Sequence, residues 1–154
     1  MKYACLDIGN VLCKVDFSPF LNHLSRTLNI TMDEAQYFLN RTQKLHDMGL
    51  TSVSDELRDH FKIKSPMIVE ELLKLWMKVV WRENDAFEAL LEKHNVQVAL
   101  LSNIGIEHAG MVEEWQTPKS IRPFFPESIK HFSCHVGARK PSSLFYQSFL
   151  LEHP

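Results

Sequence analysis

The sequence predicts an α/β fold, an open parallel sheet with an inserted all-helical cap. Two patterns lead to this prediction. Strand-like apolar runs alternate with helical patterns near both ends of the chain, and residues 16–83 are helical in pattern throughout. Strands that alternate with helices are typical of a mostly parallel sheet. We therefore predict a core domain formed by residues 1–15 and 84–154, and a helical cap domain formed by residues 16–83.

Three segments have the composition of sheet strands. Residues 3–6 form a short apolar run ahead of a turn, and residues 96–101 form a nearly continuous apolar run. A continuous run of this length is typical of a strand that is covered on both faces. Phe132, Cys134 and Val136 alternate with polar residues, which predicts a third strand over residues 132–136.

Signals for helix starts recur along the chain, each with a side chain that can cap free backbone N–H groups. They are Ser18 before Pro19, Thr31 with Glu34 in a capping box, Ser52, Ser65 before Pro66, Asn84, and Ser142 or Ser143. Apolar residues follow each signal at helical spacing. The cap domain should therefore contain several helices, and one more helix should close the chain.

Composition narrows the function classes. The formal net charge of −2 gives no electrostatic reason to expect a nucleic acid or an anionic membrane as partner, and no apolar run has the length of a membrane span. The three cysteines are an odd number without metal-ligand spacing, and the chain starts without a targeting pattern. These observations predict a cytoplasmic protein of 154 residues with reduced thiols.

Asp7, Ser102 and Lys140 each follow a predicted strand. In an open α/β sheet, ligands bind beyond the carboxyl ends of the strands, so these side chains should meet there. A carboxylate can attack phosphorus, and backbone N–H groups at Gly9 and Asn10, a hydroxyl and an ammonium can neutralise phosphate charge. The pattern predicts an aspartate-based phosphoryl-transfer site with a magnesium ion at Asp7.

Each of these features also has an ordinary structural explanation. An Asp–Gly pair after a strand is usually a turn, Ser102 with Asn103 is commonly a helix cap, and a lysine before proline is commonly a solvated loop charge. The functional prediction depends on the ordered combination of the three features at three predicted strand ends.

At these positions the chain resembles the haloacid dehalogenase superfamily of phosphatases. The first, second and third family motifs match residues 6–12, 100–103 and 133–141. The resemblance is nearest to the branch of glucose-1-phosphate phosphatases and the N-terminal phosphatase domains of epoxide hydrolases. Residues 48–51, leading to Asp55 and Glu56, also resemble a helical-cap segment of that branch. The fold that the resemblance implies is a Rossmann-like sheet with a helical cap.

The resemblance also implies roles for individual residues. Asp7 would be the nucleophile and Lys140 its catalytic partner, with the Asp7 carboxylate and the Gly9 carbonyl holding Mg²⁺. The phosphate-binding set would be Gly9, Asn10, Ser102, Asn103 and Lys140.

The chain departs from the family pattern in two places. Gly9 stands where many family members have a second aspartate that acts as general acid, although the nearest branch shares this glycine. The family's late acidic pair has no counterpart after the helix of residues 142–151. We therefore expect the C-terminal strands of the family sheet to be missing, which would leave residues 3–6 at a sheet edge. Such an edge favours self-association, and a fragment, an inactive relative or a partner-completed sheet would each account for it.

Three functions are consistent with the sequence. The first is a Mg²⁺-dependent phosphatase of small phosphorylated metabolites that works through an aspartyl-phosphate. The second is an inactive or truncated family member that serves as a binding or oligomerisation module. The third is a haloacid dehalogenase-type hydrolase, and the cationic Arg139–Lys140 pair would suit the anionic substrate of either the phosphatase or the dehalogenase. The substrate would be set by cap residues, for which Phe17, Phe20, His46 and Trp81 are candidates.

Overall fold

The computed structural model describes residues 3–82, 97–114 and 128–154. Its main sheet has three parallel strands in the order β1 (Tyr3–Leu6), β4 (Gln97–Ser102) and β5 (Ile129–Phe132). Leu6 lies opposite Leu100 in β4, and Ser102 lies opposite Phe132 in β5. The carboxyl ends of all three strands therefore lie at one edge of the sheet, as an open parallel α/β fold requires.

β4 is the middle strand and is buried on both faces. Val98 and Leu100 pack in a cluster with Ala109 and Val112 of α5 (Ile106–Glu114). Ala99 and Leu101 pack on the opposite face against Phe145 and Phe149 of α7 (Ser143–Glu152). These contacts confirm the expectation drawn from the continuous apolar run, because neither face of the strand is left to water.

Four helices form the helical cap: α1 (Ser18–Leu28), α2 (Met32–His46), α3 (Val53–Phe61) and α4 (Pro66–Met77). Their apolar faces meet in one core whose largest members, Phe20, Phe38 and Trp76, are at most 1% exposed. Burying such aromatic side chains removes 150–250 Å² of surface each from water. The cap is therefore packed around a core of its own.

The predicted helix starts are confirmed in the described part of the chain, with one shift. Thr31 forms the capping box with Glu34, and the Ser52 and Ser142 side chains accept hydrogen bonds from the backbone at α3 and α7. The N-cap of α1 is Phe17 rather than Ser18. The Ser18 N–H donates to Asp16 Oδ1 instead, which begins the helix one residue early. The predicted cap at Asn84 lies outside the described residues.

A short antiparallel ribbon joins the cap to the sheet domain. β2 (Cys13–Val15) pairs with β3 (Val80–Arg82), and Val15 lies opposite Val80. The expectation that residues 16–83 are helical throughout is therefore wrong at residues 80–82. A three-residue strand is too short for its periodicity to be visible, and its partner is distant in sequence. The division into a core and a cap domain at these boundaries stays a prediction.

The predicted strand over residues 132–136 is wrong beyond its first residue. β5 ends at Phe132, and residues Ser133–Val136 form the short helix α6. The Ser133 hydroxyl donates to the Ile104 carbonyl and accepts from the Ile104 N–H, which anchors the start of this turn. Gly137, at φ 72°, closes it with an N–H to the Ser133 carbonyl at 2.9 Å. These tertiary hydrogen bonds outweigh the alternating pattern.

β1 lies at the end of the strand order within the described residues, as expected from the sequence. Cys5, in the middle of that strand, is exposed. None of the helices in the described ranges has the length and apolar character needed to cross a membrane.

Candidate active site

Asp7 and Lys140 meet at the carboxyl edge of the sheet. Asp7 directly follows β1, and its side chain is 40% exposed. Asp7 Oδ1 accepts a hydrogen bond of 2.8 Å from the Ile8 N–H, and Lys140 Nζ lies 2.8 Å from Asp7 Oδ2. The structure therefore joins two predicted site residues that are separated by most of the chain.

Lys140 is held at three points besides Asp7. Its Nζ donates to the Leu101 carbonyl at 2.8 Å. Its backbone N–H donates to Asn103 Oδ1 at 2.7 Å, and its carbonyl accepts from Asn103 Nδ2 at 3.0 Å. The Asn103 side chain thus uses its amide on the Lys140 backbone, and the predicted contact of Asn103 with phosphate stays a prediction. The ammonium is fixed between a carboxylate and a carbonyl.

The turn after Asp7 is closed by its own backbone. The Asn10 N–H donates to the Cys13 carbonyl at 2.6 Å, and Asn10 Oδ1 accepts from the Val15 N–H at 3.1 Å. Asn10 has a φ of 58°, a left-handed conformation that asparagine tolerates better than most residues. In this structure the Asn10 N–H bonds within the turn, and its donation to phosphate stays a prediction.

Gly9 is not required by the protein's own packing. It has no positive φ, and an added Cβ would meet only the Val15 side chain at 3.4 Å. A glycine that its neighbours do not demand is consistent with close approach of a ligand to the backbone. The predicted phosphate and metal roles of Gly9 stay predictions.

Ser102 ends β4 and lines a cavity together with Ile8 and Gly9, which follow Asp7 in the chain. It is 2% exposed, and no hydrogen bond joins its hydroxyl to another of the described residues. The cavity encloses about 530 Å³ of space, part of it open to solvent, between the sheet edge and the cap. Phe17 and His46 lie on its wall as the sequence suggested, whereas Phe20 lies in the cap core. The Trp81 side chain lies outside the described part.

The cavity is lined by both apolar and polar residues. Ile8, Val15, Phe17, Trp76 and Val80 supply apolar lining. Polar side chains that complete the wall come from both domains: Gln43, His46 and Asp47 from the end of α2, and Ser102, Asn103 and His108 from β4 and α5. Residues of both the cap and the sheet therefore line this cavity.

His46 and Glu107 form a polar joint between cap and core. His46 Nε2 pairs with Glu107 Oε2, and Glu107 Oε1 accepts from the Val53 N–H at the start of α3 at 3.1 Å. Burial tends to raise the pKa of Glu107, but the hydrogen bond and charge of His46 lower it below its usual value. The His46 ring lies where a side chain on Gly105 would be, so only glycine fits there.

His108 makes a second contact across the joint. Its Nε2 donates to the Trp76 carbonyl at the end of α4 at 2.9 Å, and the two rings stack with centroids 5.2 Å apart. Burial is the largest influence and lowers the pKa of His108; His46 lowers it further, while the Trp76 carbonyl and Glu107 act in the other direction. The charged form of His108 is therefore disfavoured in the joint.

Arg139, the neighbour of Lys140, turns toward the cap. Its Nη2 lies 2.9 Å from Asp47 Oδ2, and Asp47 is 8% exposed. Burial raises the pKa of Asp47, while the charges of Arg139 and His46 oppose this. The sequence grouped Arg139 with Lys140 as a cation for an anionic substrate, but the structure pairs it with a carboxylate of the cap.

Comparison with known proteins identifies the architecture. The chain matches no protein-family model, and no characterised protein sequence is significantly similar to it. Among solved structures, a haloacid dehalogenase family enzyme of Bacteroides thetaiotaomicron aligns with a TM-score of 0.76 at 16% identity, over 96% of this chain and 76% of that one. A predicted hydrolase of this family from Porphyromonas gingivalis aligns with a TM-score of 0.71 at 15% identity, over 99% and 76%.

The chain has the haloacid dehalogenase fold. Its three-stranded parallel sheet and helical cap correspond to those of enzymes of that family. An aspartate-to-alanine variant of the Bacteroides enzyme was solved with magnesium and inorganic phosphate, and it aligns with a TM-score of 0.76 at 15% identity, over 99% of this chain and 78% of that one.

Sequence reasoning missed the residues that join the two domains of this haloacid dehalogenase fold. Asp47, Gly105, Glu107 and His108 were not identified, because each acts through a partner that is distant in sequence. Glu107 in the first turn of a helix is readily explained by the helix dipole alone. The one signal in the sequence was Gly105, two residues before Glu107. The packing role of Gly105 is visible only when the position of the His46 ring is known.

Proposed function

We propose that this chain is a Mg²⁺-dependent phosphatase of small phosphorylated metabolites. The observation that carries the proposal is the ion pair of Asp7 and Lys140 at the carboxyl edge of the sheet in a haloacid dehalogenase fold, the edge at which β4 also ends with the buried, cavity-lining Ser102. Solved neighbours with this fold are described as hydrolases or phosphatases, and one holds magnesium and phosphate. Gly9, two residues after Asp7, favours the glucose-1-phosphate phosphatase and epoxide hydrolase branch.

In the proposed reaction, Asp7 is the nucleophile. One carboxylate oxygen forms a bond to phosphorus while the bond from phosphorus to the substrate oxygen breaks, and the departing alcohol takes up a proton. Water then attacks the aspartyl-phosphate, which releases inorganic phosphate and restores the Asp7 carboxylate. Lys140 stays beside Asp7, where its positive charge attracts the phosphoryl group and offsets negative charge in the transition state.

The donor atoms near Asp7 fit a hydrated magnesium ion. The half-exposed Asp7 carboxylate and the Gly9 carbonyl are hard oxygen donors, which Mg²⁺ prefers. No group of three acidic, histidine or cysteine side chains converges among residues 3–82, 97–114 and 128–154. The fit is therefore to an ion that keeps several waters and shares phosphate oxygens. When bound, magnesium would supply charge neutralisation for the phosphoryl group.

Hydrolysis of p-nitrophenyl phosphate tests the proposal. Wild type should release nitrophenol with MgCl₂ and lose this activity with excess chelator, and Asp7→Asn should be inactive because it lacks the nucleophile. Asp33→Asn is the matched control, since Asp33 is an exposed aspartate on α2 and should retain activity. A folded wild type without Mg²⁺-dependent turnover, or an active Asp7→Asn, would contradict the proposal.

One observation favours the second candidate, a module that self-associates. β1 has β4 as its partner on one side and lies at the end of the described sheet. An apolar edge strand is a template for pairing with another chain. Sedimentation velocity, together with the phosphatase assay, distinguishes the phosphatase from the self-associating module. A folded monomer with turnover removes the module, and an inactive dimer supports it. Activity on a 2-haloacid without phosphatase activity would instead support the dehalogenase alternative.

A further inference from the structure

The turn between α2 and α3, residues 47–50, lies against the segment that carries Lys140. We call it the cap turn. Asp47 in this turn pairs with Arg139, and Gly49 packs against the backbone of Cys134 in α6. A Cβ on Gly49 would lie 2.5 Å from the Cys134 carbonyl oxygen, and the φ of Gly49 is +69°. Two independent contacts therefore fix the cap turn on residues 134–139.

The pair of Asp47 and Arg139 is suited to hold its position. Asp47 is 8% exposed, so its carboxylate has lost most of its water and depends on a cation partner. Among the described residues, Asp47 is the carboxylate that forms an ion pair with the Arg139 guanidinium. The Arg139 Nε is buried and has no hydrogen-bond partner there, so the contact with Asp47 orients the group. Replacing the carboxylate by an amide would remove the negative charge that offsets the partly buried Arg139 guanidinium, which favours movement of Arg139 toward solvent.

Arg139 precedes Lys140 directly in the chain, and the position of Lys140 is set by several contacts. The Lys140 backbone is held by Asn103, and its Nζ lies between Asp7 and the Leu101 carbonyl. A shift of Arg139 would be transmitted through one peptide bond to these contacts. A misplacement of about 1 Å in a catalytic group can reduce a rate up to 10²-fold.

We propose that Asp47 is a positioning residue that couples the cap turn to Lys140 through Arg139. This inference rests on the phosphatase function proposed above. Asp47 extends from the cap to Arg139, so docking of the cap turn holds the Lys140 ammonium beside Asp7. The ion pair of Asp47 is with Arg139, whereas that of Asp7 is with Lys140.

Steady-state kinetics of Asp47→Asn with p-nitrophenyl phosphate give the first test. We expect kcat to fall about tenfold with a smaller change in KM, because asparagine keeps nearly the size of the Asp47 side chain on the cavity wall but lacks the charge that holds Arg139. Asp59→Asn, an exposed aspartate on α3, is the matched control and should be unchanged. In a double-mutant cycle, Asp47→Asn combined with Arg139→Gln should cost no more than the larger single effect. Additive effects would overturn the coupling.

A labelling experiment tests the coupling without activity. Wild type and variants are treated briefly with an amine-acylating reagent, and modification of Lys140 is measured by peptide mass spectrometry relative to exposed Lys62. Lys140 is 20% exposed and paired, so we expect its labelling to rise at least about threefold in Asp47→Asn and to stay at the wild-type value in Asp59→Asn. Unchanged labelling in Asp47→Asn would refute the inference.

The two proposals can fail separately. If wild type shows no turnover but Lys140 labelling responds to Asp47→Asn, the phosphatase function is wrong and the coupling is supported. If Asp47→Asn fails to fold, Arg139→Gln takes its place, because it removes the same ion pair from the other side. Lys140 labelling should rise in this variant as well, and wild-type labelling together with wild-type kcat would overturn the coupling.

Discussion

Gly105→Ala is the substitution whose effect follows most directly from the packing of the joint between cap and core. A Cβ on Gly105 would lie well inside 3.0 Å of three atoms of the His46 ring, a separation that real Cβ atoms essentially never show. His46 is 1% exposed and pairs with Glu107, so the ring can yield only by leaving Glu107 and moving into the neighbouring cavity. The alanine variant must displace the ring and break its contact with Glu107.

The expected magnitude combines two losses. Overpacking a filled interior site costs about 1–3 kcal/mol. A hydrogen bond that involves a charged group contributes about 1.5–3 kcal/mol, and the loss is larger when the remaining Glu107 stays partly buried. Because relief of the clash and loss of the bond overlap, we expect the free energy of unfolding to fall by about 3–5 kcal/mol.

Urea unfolding followed by circular dichroism measures this difference, and α5 contains a matched control. Gly110 lies in the same helix, and no atom lies within 4 Å of a Cβ built on it. Gly110→Ala should therefore be neutral or more stable by up to about 1 kcal/mol, because alanine is the better helix former. A Gly105→Ala variant within about 1 kcal/mol of wild type would refute the docking of His46 on Gly105.

Two further predictions concern the joint and Lys140. Burial lowers the pKa of His108, so the unfolded state binds a proton more readily than the folded state. The free energy of unfolding should therefore decrease as the pH falls below about 6.5. For this one group the decrease is at most about 1.4 kcal/mol per pH unit. His108→Gln, which keeps a donor for the Trp76 carbonyl, should show a smaller decrease between pH 7.5 and 5.5 in urea titrations; identical decreases would contradict the assignment. Asn103→Ala removes both hydrogen bonds to the Lys140 backbone and should lower stability by about 1–2 kcal/mol together with kcat. Unchanged kcat in that variant would argue against a positioning role of Asn103.

Much of the local structure could be predicted from the sequence, because it depends on neighbours along the chain. Thr31 and Glu34 are three residues apart, so the capping box needs no other part of the molecule. The apolar run of β4 indicates burial on both faces for a similar reason, since its composition leaves no face suited to water. The meeting of Asp7 and Lys140 followed from topology, because the carboxyl ends of parallel strands share one edge.

Where local patterns were short or ambiguous, tertiary contacts decided the outcome. Residues 133–136 alternate like a strand, yet Ser133 bonds to Ile104 and Gly137 adopts a left-handed φ, which together close a helical turn. The three residues of β3 form a strand because β2 is beside them. The deciding partners, Ile104 and β2, lie far away in sequence. The left-handed φ of Gly137 is likewise not encoded in the pattern of hydrophobicity.

The sequence by itself determined the fold class, the four helices of the cap and the positions of Asp7, Ser102 and Lys140 at strand ends, since periodicity, capping and chain order are local properties. Only the tertiary structure decided that Arg139 pairs with Asp47 of the cap and that the His46 ring occupies the space next to Gly105. These contacts join residues from different domains, and their energies depend on burial and on distances of a few ångströms, which arise only after the cap has docked on the sheet.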